Sequence, residues 1–338
     1  MIDDRRVHLV RIAHIHYRHH DLAKATQFLE DFGMTQVSTV DNRRYFRGYG
    51  ELPFIYVAEQ TETERAEFVR VAFEAKDESS LKRASELPGA TPIMELQSPG
   101  GGRGTSLRDP SGIQIDVILG QQYVPVELPR KRTQAFNRGG PSAEEKPRAA
   151  GNFQRFNREE VVRVHKLGHF VLQVADYASS RKFYTETLNF APSDILQIGE
   201  MEAGAFLHLD LGTRSTDHHT LFLQALPPGA HGPCIHHSAY EVYDIDQEFL
   251  AHQQLQSKGY ELAWGIGRHI LGSQLFDYWH QTSDNFNLEH YADGDLVNAA
   301  TPVGRHQITP GAPVEQELSV WGPAFGKSFL SSGEISLQ

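Results

Sequence analysis

The stretch Ile12–Tyr17, with the letters IAHIHY, returns in altered form at Leu167–Leu172 as LGHFVL, and this pair decides the predicted fold. An aspartate follows each leading histidine, His14 or His169, after seven residues, and a phenylalanine follows each after fourteen. Similarity at a fixed spacing is typical of a duplicated structural unit. The sequence therefore predicts that the chain contains two copies of one unit.

The two copies can be followed further along the chain. Val71–Asp77 (VAFEAKD) parallels Ser238–Asp244 (SAYEVYD), and Ile113–Asp116 (IQID) parallels Phe286–Glu289 (FNLE). Short apolar runs that are typical of strands alternate with stretches that have helical spacing. We predict helices over Ala23–Asp31, Glu78–Glu86, Ala178–Leu188 and Ile245–Ser257. We predict strands over Leu9–Tyr17, Arg44–Arg47, Phe54–Ala58, Val69–Ala75, Ile113–Leu119, Lys166–Val174, Ala205–Leu209, His219–Leu226, Ile235–Val242, Leu275–Trp279 and Asn287–Tyr291.

The predicted architecture is an α+β fold in which tandem β-α-β-β-β modules form two similar domains. Each domain would curl a mixed sheet around a cavity, with its helices outside. We place an N-terminal non-catalytic module pair at 1–120, a linker at 121–162, a C-terminal catalytic, metal-binding pair at 163–295 and a tail at 296–338. The linker region is poor in large apolar residues. Prolines and glycines break up the tail, so we expect it to pack along the surface.

Composition excludes several classes of protein. The 338 residues include 32 Lys and Arg against 43 Asp and Glu, a net charge of −11 at pH 7, which argues against a nucleic-acid partner. The single cysteine, Cys234, permits no intrachain disulfide. No apolar run approaches the roughly 18 residues of a membrane span, and the charged N-terminus does not resemble a signal peptide. We expect a cytoplasmic protein that forms a homo-oligomer.

Three predicted strands of the second half each carry one good metal ligand: His169, a histidine of the pair His236-His237, and Glu289. Side chains alternate between the two faces of a strand, so at most one of the adjacent histidines can belong to a shared site. Two imidazoles and a carboxylate with open positions suit a non-heme Fe(II) that must bind both substrate and O₂. The sequence therefore predicts an iron site in the second half.

The equivalent positions in the first half are His14, Arg70 and Asp116. An arginine side chain offers only donors and cannot ligate a metal. We therefore interpret the first half as a structural copy that has lost its site.

The second half also contains an ordered series of short motifs, namely Leu167–His169, Phe183-Tyr184, His219–Leu221, Ile235–Tyr240, Gly267–His269, Tyr278 and Leu288-Glu289. In this order and spacing, the chain resembles two-domain extradiol catechol dioxygenases of the vicinal oxygen chelate superfamily. The resemblance covers about residues 8–295 and is strongest in the second half. One departure is Thr282–Asn285, which stands where many relatives have the turn Asp-Pro-x-Gly. We expect the turn to survive, because asparagine tolerates a left-handed conformation.

The resemblance implies a role for each matching residue. It implies that His169, His237 and Glu289 hold Fe(II), with Mn(II) as the alternative, and it selects His237 over His236. It implies that His219 acts as an acid and base during O₂ attack, and that His269 and Tyr278 hydrogen-bond the substrate oxygens. The implied activity is cleavage of a catechol ring with O₂. The bulky, apolar character of Ile270–Asp277 favours a larger, multi-ring substrate.

Two other functions fit the same predicted fold. A metal-dependent isomerase or lyase of glyoxalase type would share the ligands, but would not need His219, His269 and Tyr278. A protein that only sequesters an aromatic compound would need no metal.

Overall fold

A computed structural model describes residues 5–63, 66–127, 160–226, 232–281, 284, 286–309, 314–330 and 333–335. Most of the predicted linker, 128–159, lies outside the described residues, as do three of the four positions of the turn at Thr282–Asn285. The first half contains β1 (Leu9–His19), α1 (Leu22–Asp31), β2 (Thr35–Val40), β3 (Arg43–Arg47), β4 (Tyr56–Gln60), β5 (Glu67–Ala75), α2 (Glu78–Ser85), β6 (Met94–Glu95), β7 (Arg103–Arg108) and β8 (Gln114–Leu119).

The second half repeats this order of elements. It contains β9 (Leu167–Val174), α3 (Tyr177–Lys182), a π-helical turn (Phe183–Thr187), β10 (Phe190–Ile198), β11 (Met201–Leu209), β12 (Thr216–Asp217), β13 (Leu221–Ala225), β14 (Cys234–Glu241), α4 (Ile245–Ser257), β15 (Glu261–His269), β16 (Leu275–Gln281) and β17 (Phe286–Ala292). The C-terminal segment adds β18 (Leu296–Val297), β19 (Gly304–Gln307), α5 (Val314–Leu318), β20 (Ser319–Trp321), a 3₁₀ turn (Lys327–Leu330) and β21 (Gly333–Ile335).

The two halves have the same sheet topology. In the first half the strand order is β2-β3-β4-β1-β5-β8-β7-β6, with parallel pairs β1/β4 and β5/β8. In the second half it is β10-β11-β13-β9-β14-β17-β16-β15, with parallel pairs β9/β13 and β14/β17. Each half is therefore two modules joined at a central antiparallel pair. The predicted α+β fold of tandem β-α-β-β-β modules with mixed sheets is confirmed.

Strand register makes the predicted equivalence of the halves explicit. In the first half, His14 lies opposite Ala72, and Ala72 lies opposite Asp116. In the second, His169 lies opposite Ala239, and Ala239 lies opposite Glu289. The predicted ligands His169 and Glu289 therefore have direct counterparts in the first half.

The helices begin at aspartates. The side chains of Asp21, Asp77, Asp176 and Asp244 each accept a hydrogen bond from a backbone N–H in the first turn of α1, α2, α3 or α4. An N-cap of this kind stabilises a helix by about 1 kcal/mol. The helix predicted over Ala178–Leu188 differs in the structure: α3 ends at Lys182, and Phe183–Thr187 form the wider π-helical turn.

The two halves share one apolar core. Buried side chains of β1, β5 and β8 join those of β9, β13, β14 and β17 in a single cluster. The rings of Tyr17 and Phe286 lie 4.4 Å apart, and Phe32 stacks on His290 at 3.7 Å. This shared core fixes the second-half strands that carry the candidate site.

The C-terminal segment is part of the sheets, whereas the sequence led us to expect surface packing alone. β19 pairs with β10, and β20 pairs with β15. β21 pairs with both β14 and β5, and so links the two halves through backbone hydrogen bonds. In the described part of the chain, no helix is long and apolar enough to cross a membrane.

Candidate metal centre and its cavity

Three side chains from neighbouring strands meet in the second half. His169 on β9, His237 on β14 and Glu289 on β17 are all buried, and their ligand atoms lie within 4.8 Å of one another. Because β14 lies between β9 and β17, side chains on one face of these strands converge. The structure thus brings the three predicted ligands together.

The distances within this group are short. Glu289 Oε2 lies 3.0 Å from His169 Nε2 and 3.3 Å from His237 Nε2. His237 Nε2 is buried and has no hydrogen-bond partner among the described residues. Burial raises the pKa of Glu289, but contacts with the two imidazoles outweigh burial and hold it well below its usual range. Two imidazole nitrogens and an anionic carboxylate fit a divalent cation.

His236 stands beside the site without joining it. Its Nδ1 lies 2.7 Å from His237 Nδ1, so one of these nitrogens donates a hydrogen bond to the other. Burial lowers the pKa of His236 to about 3, so the ring is neutral. If His237 donates, its Nε2 keeps the lone pair that a metal needs, and a hydrogen-bonded partner of this kind orients ligating histidines in metal sites.

The three other predicted site residues surround the same group. The ring of His219, just before β13, lies 4.0 Å from the ring of His169. Burial, aided by neighbouring histidines, lowers the pKa of His219 well below its usual value. Tyr278 Oη lies 3.0 Å from His269 Nε2, and the Tyr278 ring lies 4.9 Å from that of His237.

Sequence reasoning missed contributions from the C-terminal segment and from Gln274. His269 Nδ1 donates to the carbonyl of Leu318 at 3.1 Å, so His269 Nε2 is the nitrogen that accepts from Tyr278. Phe329 lies 5.1 Å from the Tyr278 ring. Gln274 Nε2 donates to Glu289 Oε1 at 3.2 Å. No periodic pattern or motif in the segment after residue 296 signals these contacts.

The site opens into a cavity of about 560 Å³. Sites for small organic ligands commonly have volumes of about 300–1,000 Å³. Phe206 and Phe222, which line the cavity, stack with their ring centres 3.9 Å apart. Other apolar lining residues are Val171, Leu271, Leu318 and Phe329.

A buried carboxylate with two imidazoles at one end of an apolar cavity, on a doubled β-α-β-β-β scaffold, matches a known family. The Glyoxalase/Bleomycin resistance protein/Dioxygenase superfamily model matches residues 166–279. The matched region includes two of the three candidate ligands, and Glu289 follows it on the last strand of the module.

The chain is similar in sequence to proteins named as a metapyrocatechase and as a dioxygenase. The chain is 27% identical over 322 residues to Metapyrocatechase 2 of Cupriavidus necator, covering 93% of this chain and 89% of the relative. It is 33% identical over 147 residues to a biphenyl-2,3-diol 1,2-dioxygenase of Pseudomonas sp. strain KKS102, covering 42% of this chain and 47% of that enzyme. The resemblance to extradiol dioxygenases stated from the sequence is confirmed.

Solved structures share the whole fold. Homoprotocatechuate 2,3-dioxygenase from Brevibacterium fuscum matches with a TM-score of 0.76 at 17% identity, covering 98% of this chain and 95% of that one. A Mn(II)-bound glyoxalase from Novosphingobium aromaticivorans matches with a TM-score of 0.75 at 21% identity, covering 95% and 94%. At these identities the structures establish the shared fold.

Proposed function

We propose that the chain is an extradiol dioxygenase, an oxidoreductase that cleaves the ring of a catechol-type substrate with O₂ and Fe(II). One observation carries the proposal: the ligand atoms of His169, His237 and Glu289 converge in a buried group that opens into an apolar cavity. A facial set of two histidines and one carboxylate leaves several coordination positions open.

The chain's residues would divide the work between holding the metal and handling protons. His169, His237 and Glu289 would hold the metal. Bound there, Fe(II) would supply the site where the diol oxygens and O₂ meet and exchange electrons. Mn(II) is the alternative ion for the same three ligands.

His219 lines the cavity beside His169 and would accept and return the diol proton. Tyr278 would turn its hydroxyl from His269 toward a substrate oxygen, and so stabilise the charge that develops there. Before substrate binds, His269 would accept the hydrogen bond from Tyr278, because its own N–H is already engaged by Leu318.

The cavity supports a two-ring substrate. Its volume exceeds what one aromatic ring requires, and the stacked Phe206 and Phe222 offer an aromatic wall in the cavity. Aromatic rings prefer offset-stacked or edge-to-face partners, so a second substrate ring would pack there. The match to an enzyme named for biphenyl-2,3-diol agrees with this.

A glyoxalase-type isomerase is the second candidate, because the Mn(II)-bound glyoxalase shares the fold at a TM-score of 0.75. Isomerisation consumes no O₂, so comparing turnover in air and under argon distinguishes the two functions.

The test compares protein loaded with Fe(II), with Mn(II) or with no metal. Each form is given a one-ring and a two-ring catechol, in air and under argon, and the ring-opened chromophore is recorded. We expect product only with metal and only in air, with the two-ring diol preferred. Turnover that is unchanged under argon would contradict the dioxygenase and favour the isomerase.

A further inference from the structure

A second group of polar side chains contacts His219 through His218. His218 Nδ1 lies 3.2 Å from His219 Nδ1, and His218 Nε2 lies 2.6 Å from Asp194 Oδ2. The other carboxylate oxygen, Asp194 Oδ1, lies 2.6 Å from His306 Nε2. We call Asp194, His218 and His306 the Asp194 cluster. His218 is nearly buried, whereas 41% of the His306 side chain is exposed.

Two glycines, which have no side chain, provide the space that this cluster occupies. β10 and β19 pair in parallel with Asp194 opposite Gly304, and a Cβ at Gly304 would lie 1.8 Å from Asp194 Oδ1. A Cβ at Gly272 would lie 2.7 Å from His218 Nδ1, and Gly272 has a φ of +75°, which favours glycine. Larger residues at either position would displace the cluster. The C-terminal segment therefore contributes to the surroundings of His219.

The hydrogen bonds of the cluster determine the charge of Asp194. Burial alone raises the pKa of Asp194, but hydrogen bonds from His218 and His306 outweigh burial and lower it. The carboxyl group is therefore an anion, and an anionic carboxylate can only accept hydrogen bonds.

We propose that Asp194 and His218 are positioning residues that hold His219 in a single tautomer, with Nδ1 protonated. In this proposed arrangement a neutral His218 donates from Nε2 to Asp194, so its Nδ1 is an acceptor. His219 Nδ1 must then donate to it, which leaves Nε2 of His219 as the nitrogen with a lone pair. That is the form in which His219 can take a proton from a diol in the cavity. The catalytic part of this inference rests on the proposed function; the tautomer itself does not.

The direct test is a two-bond ¹H–¹⁵N correlation spectrum of the full chain with ¹⁵N-labelled histidines, loaded with diamagnetic Zn(II). The resonances of His219 are identified by their loss in His219→Asn. We expect the Nδ1-protonated tautomer in the unaltered protein, and a mixture or the other tautomer in Asp194→Asn, whose amide can donate to His218. An Nε2-protonated His219 in the unaltered protein, or an unchanged tautomer in Asp194→Asn, would overturn the proposal.

Kinetics with the Fe(II)-loaded enzyme give a second readout. We expect Asp194→Asn to lower kcat about 10- to 100-fold with KM nearly unchanged. This loss would be part of the roughly 10²–10⁴-fold rate increase that acid–base catalysis contributes. In a His219→Asn background, the same change should cost less than about twofold, because the two residues act as one unit. Equal losses in both backgrounds would indicate a merely structural role and would contradict the proposal.

Two further variants keep the test decisive. If Asp194→Asn folds poorly, His218→Phe removes the acceptor of His219 directly and should give the same loss of tautomer preference. Glu186→Gln, the same chemical change at an exposed carboxylate that pairs with Lys182, should change neither spectrum nor rate. Absence of any O₂-dependent turnover with the expected tautomer present would contradict the proposed function alone.

Discussion

At the scale of single residues, the adjacent pair His236-His237 separates two roles that the sequence alone could not assign. His237 Nε2 lies near Glu289 Oε2, whereas His236 contacts the other nitrogen of His237. Both rings line the cavity, so exposure to the cavity does not distinguish them. Only the direction in which each ring points makes one a candidate ligand and the other its support.

Replacing the two histidines one at a time tests this assignment. We expect His237→Ala to lose bound metal, because one of three ligands is missing. His236→Ala should retain metal with affinity lowered about 10- to 100-fold, the usual effect of removing a partner of a ligating histidine. Metal content and affinity after Fe(II) loading measure both. Full metal binding by His237→Ala would refute the ligand assignment.

At the scale of elements, the turn Asp109–Gly112 joins the two halves. Asp109 Oδ1 accepts from the backbone N–H groups of Ser111 and Ile113, and Oδ2 accepts from Tyr184 Oη of the second half at 3.2 Å. Burial raises the pKa of Asp109 from 3.8 to about 6. The folded state therefore binds a proton more tightly than the unfolded state does.

This shift predicts a pH dependence of stability. Between pH 4 and 6 the folded carboxyl group holds a proton that the unfolded one has released, so its contribution to stability falls as pH rises through that range, by roughly 3 kcal/mol at most. We expect Asp109→Asn to remove this fall. The stability of the variant, measured relative to that of the unaltered protein, should therefore increase from pH 4.5 to pH 7. Urea unfolding at both pH values measures the difference. Glu186→Gln is the control, and parallel pH profiles for Asp109→Asn and the unaltered protein would show that Asp109 is not the group responsible.

The C-terminal segment contributes to the cavity through Phe329. We expect Phe329→Leu to lower kcat/KM for a two-ring diol about 2- to 12-fold, the effect of losing an aromatic contact of ~0.5–1.5 kcal/mol, with metal content unchanged. Trp321→Leu, on β20 of the same segment, is the matched control, since Trp321 is 43% exposed and does not line the cavity. Equal effects of the two changes would contradict a role for Phe329 in the cavity.

Elements with a strong apolar pattern could be predicted from the sequence, and those without one could not. Helix Ile245–Ser257 is confirmed at both ends. β2 was missed because none of its six residues is buried, so it has no apolar face. β15 was missed because it contains Gly265 and Gly267, which sequence patterns associate with turns. Here they are needed because a Cβ at either would lie 2.5 Å or less from a side-chain atom of β16.

At the scale of the whole molecule, duplication explains why one site was predictable and its surroundings were not. Comparison of the halves made the set His169, His237 and Glu289 distinctive, because the first half has Arg70 at the position of His237. In the structure Arg70 Nη1 lies 3.2 Å from Asp116 Oδ2, so an ion pair occupies the equivalent place in the first half. The Asp194 cluster and the contacts of Leu318 and Phe329 depend on a segment that follows the repeat, where the halves offer no comparison.

The most direct test of the central claim is oxygen uptake per diol cleaved, measured with Fe(II)-loaded protein and with the Glu289→Gln variant. The account predicts one O₂ consumed per diol by the unaltered protein. It also predicts loss of both metal and uptake in the variant, because an amide replaces the buried anion that faces His169 and His237. Diol turnover without O₂ uptake, or undiminished uptake by Glu289→Gln, would contradict it.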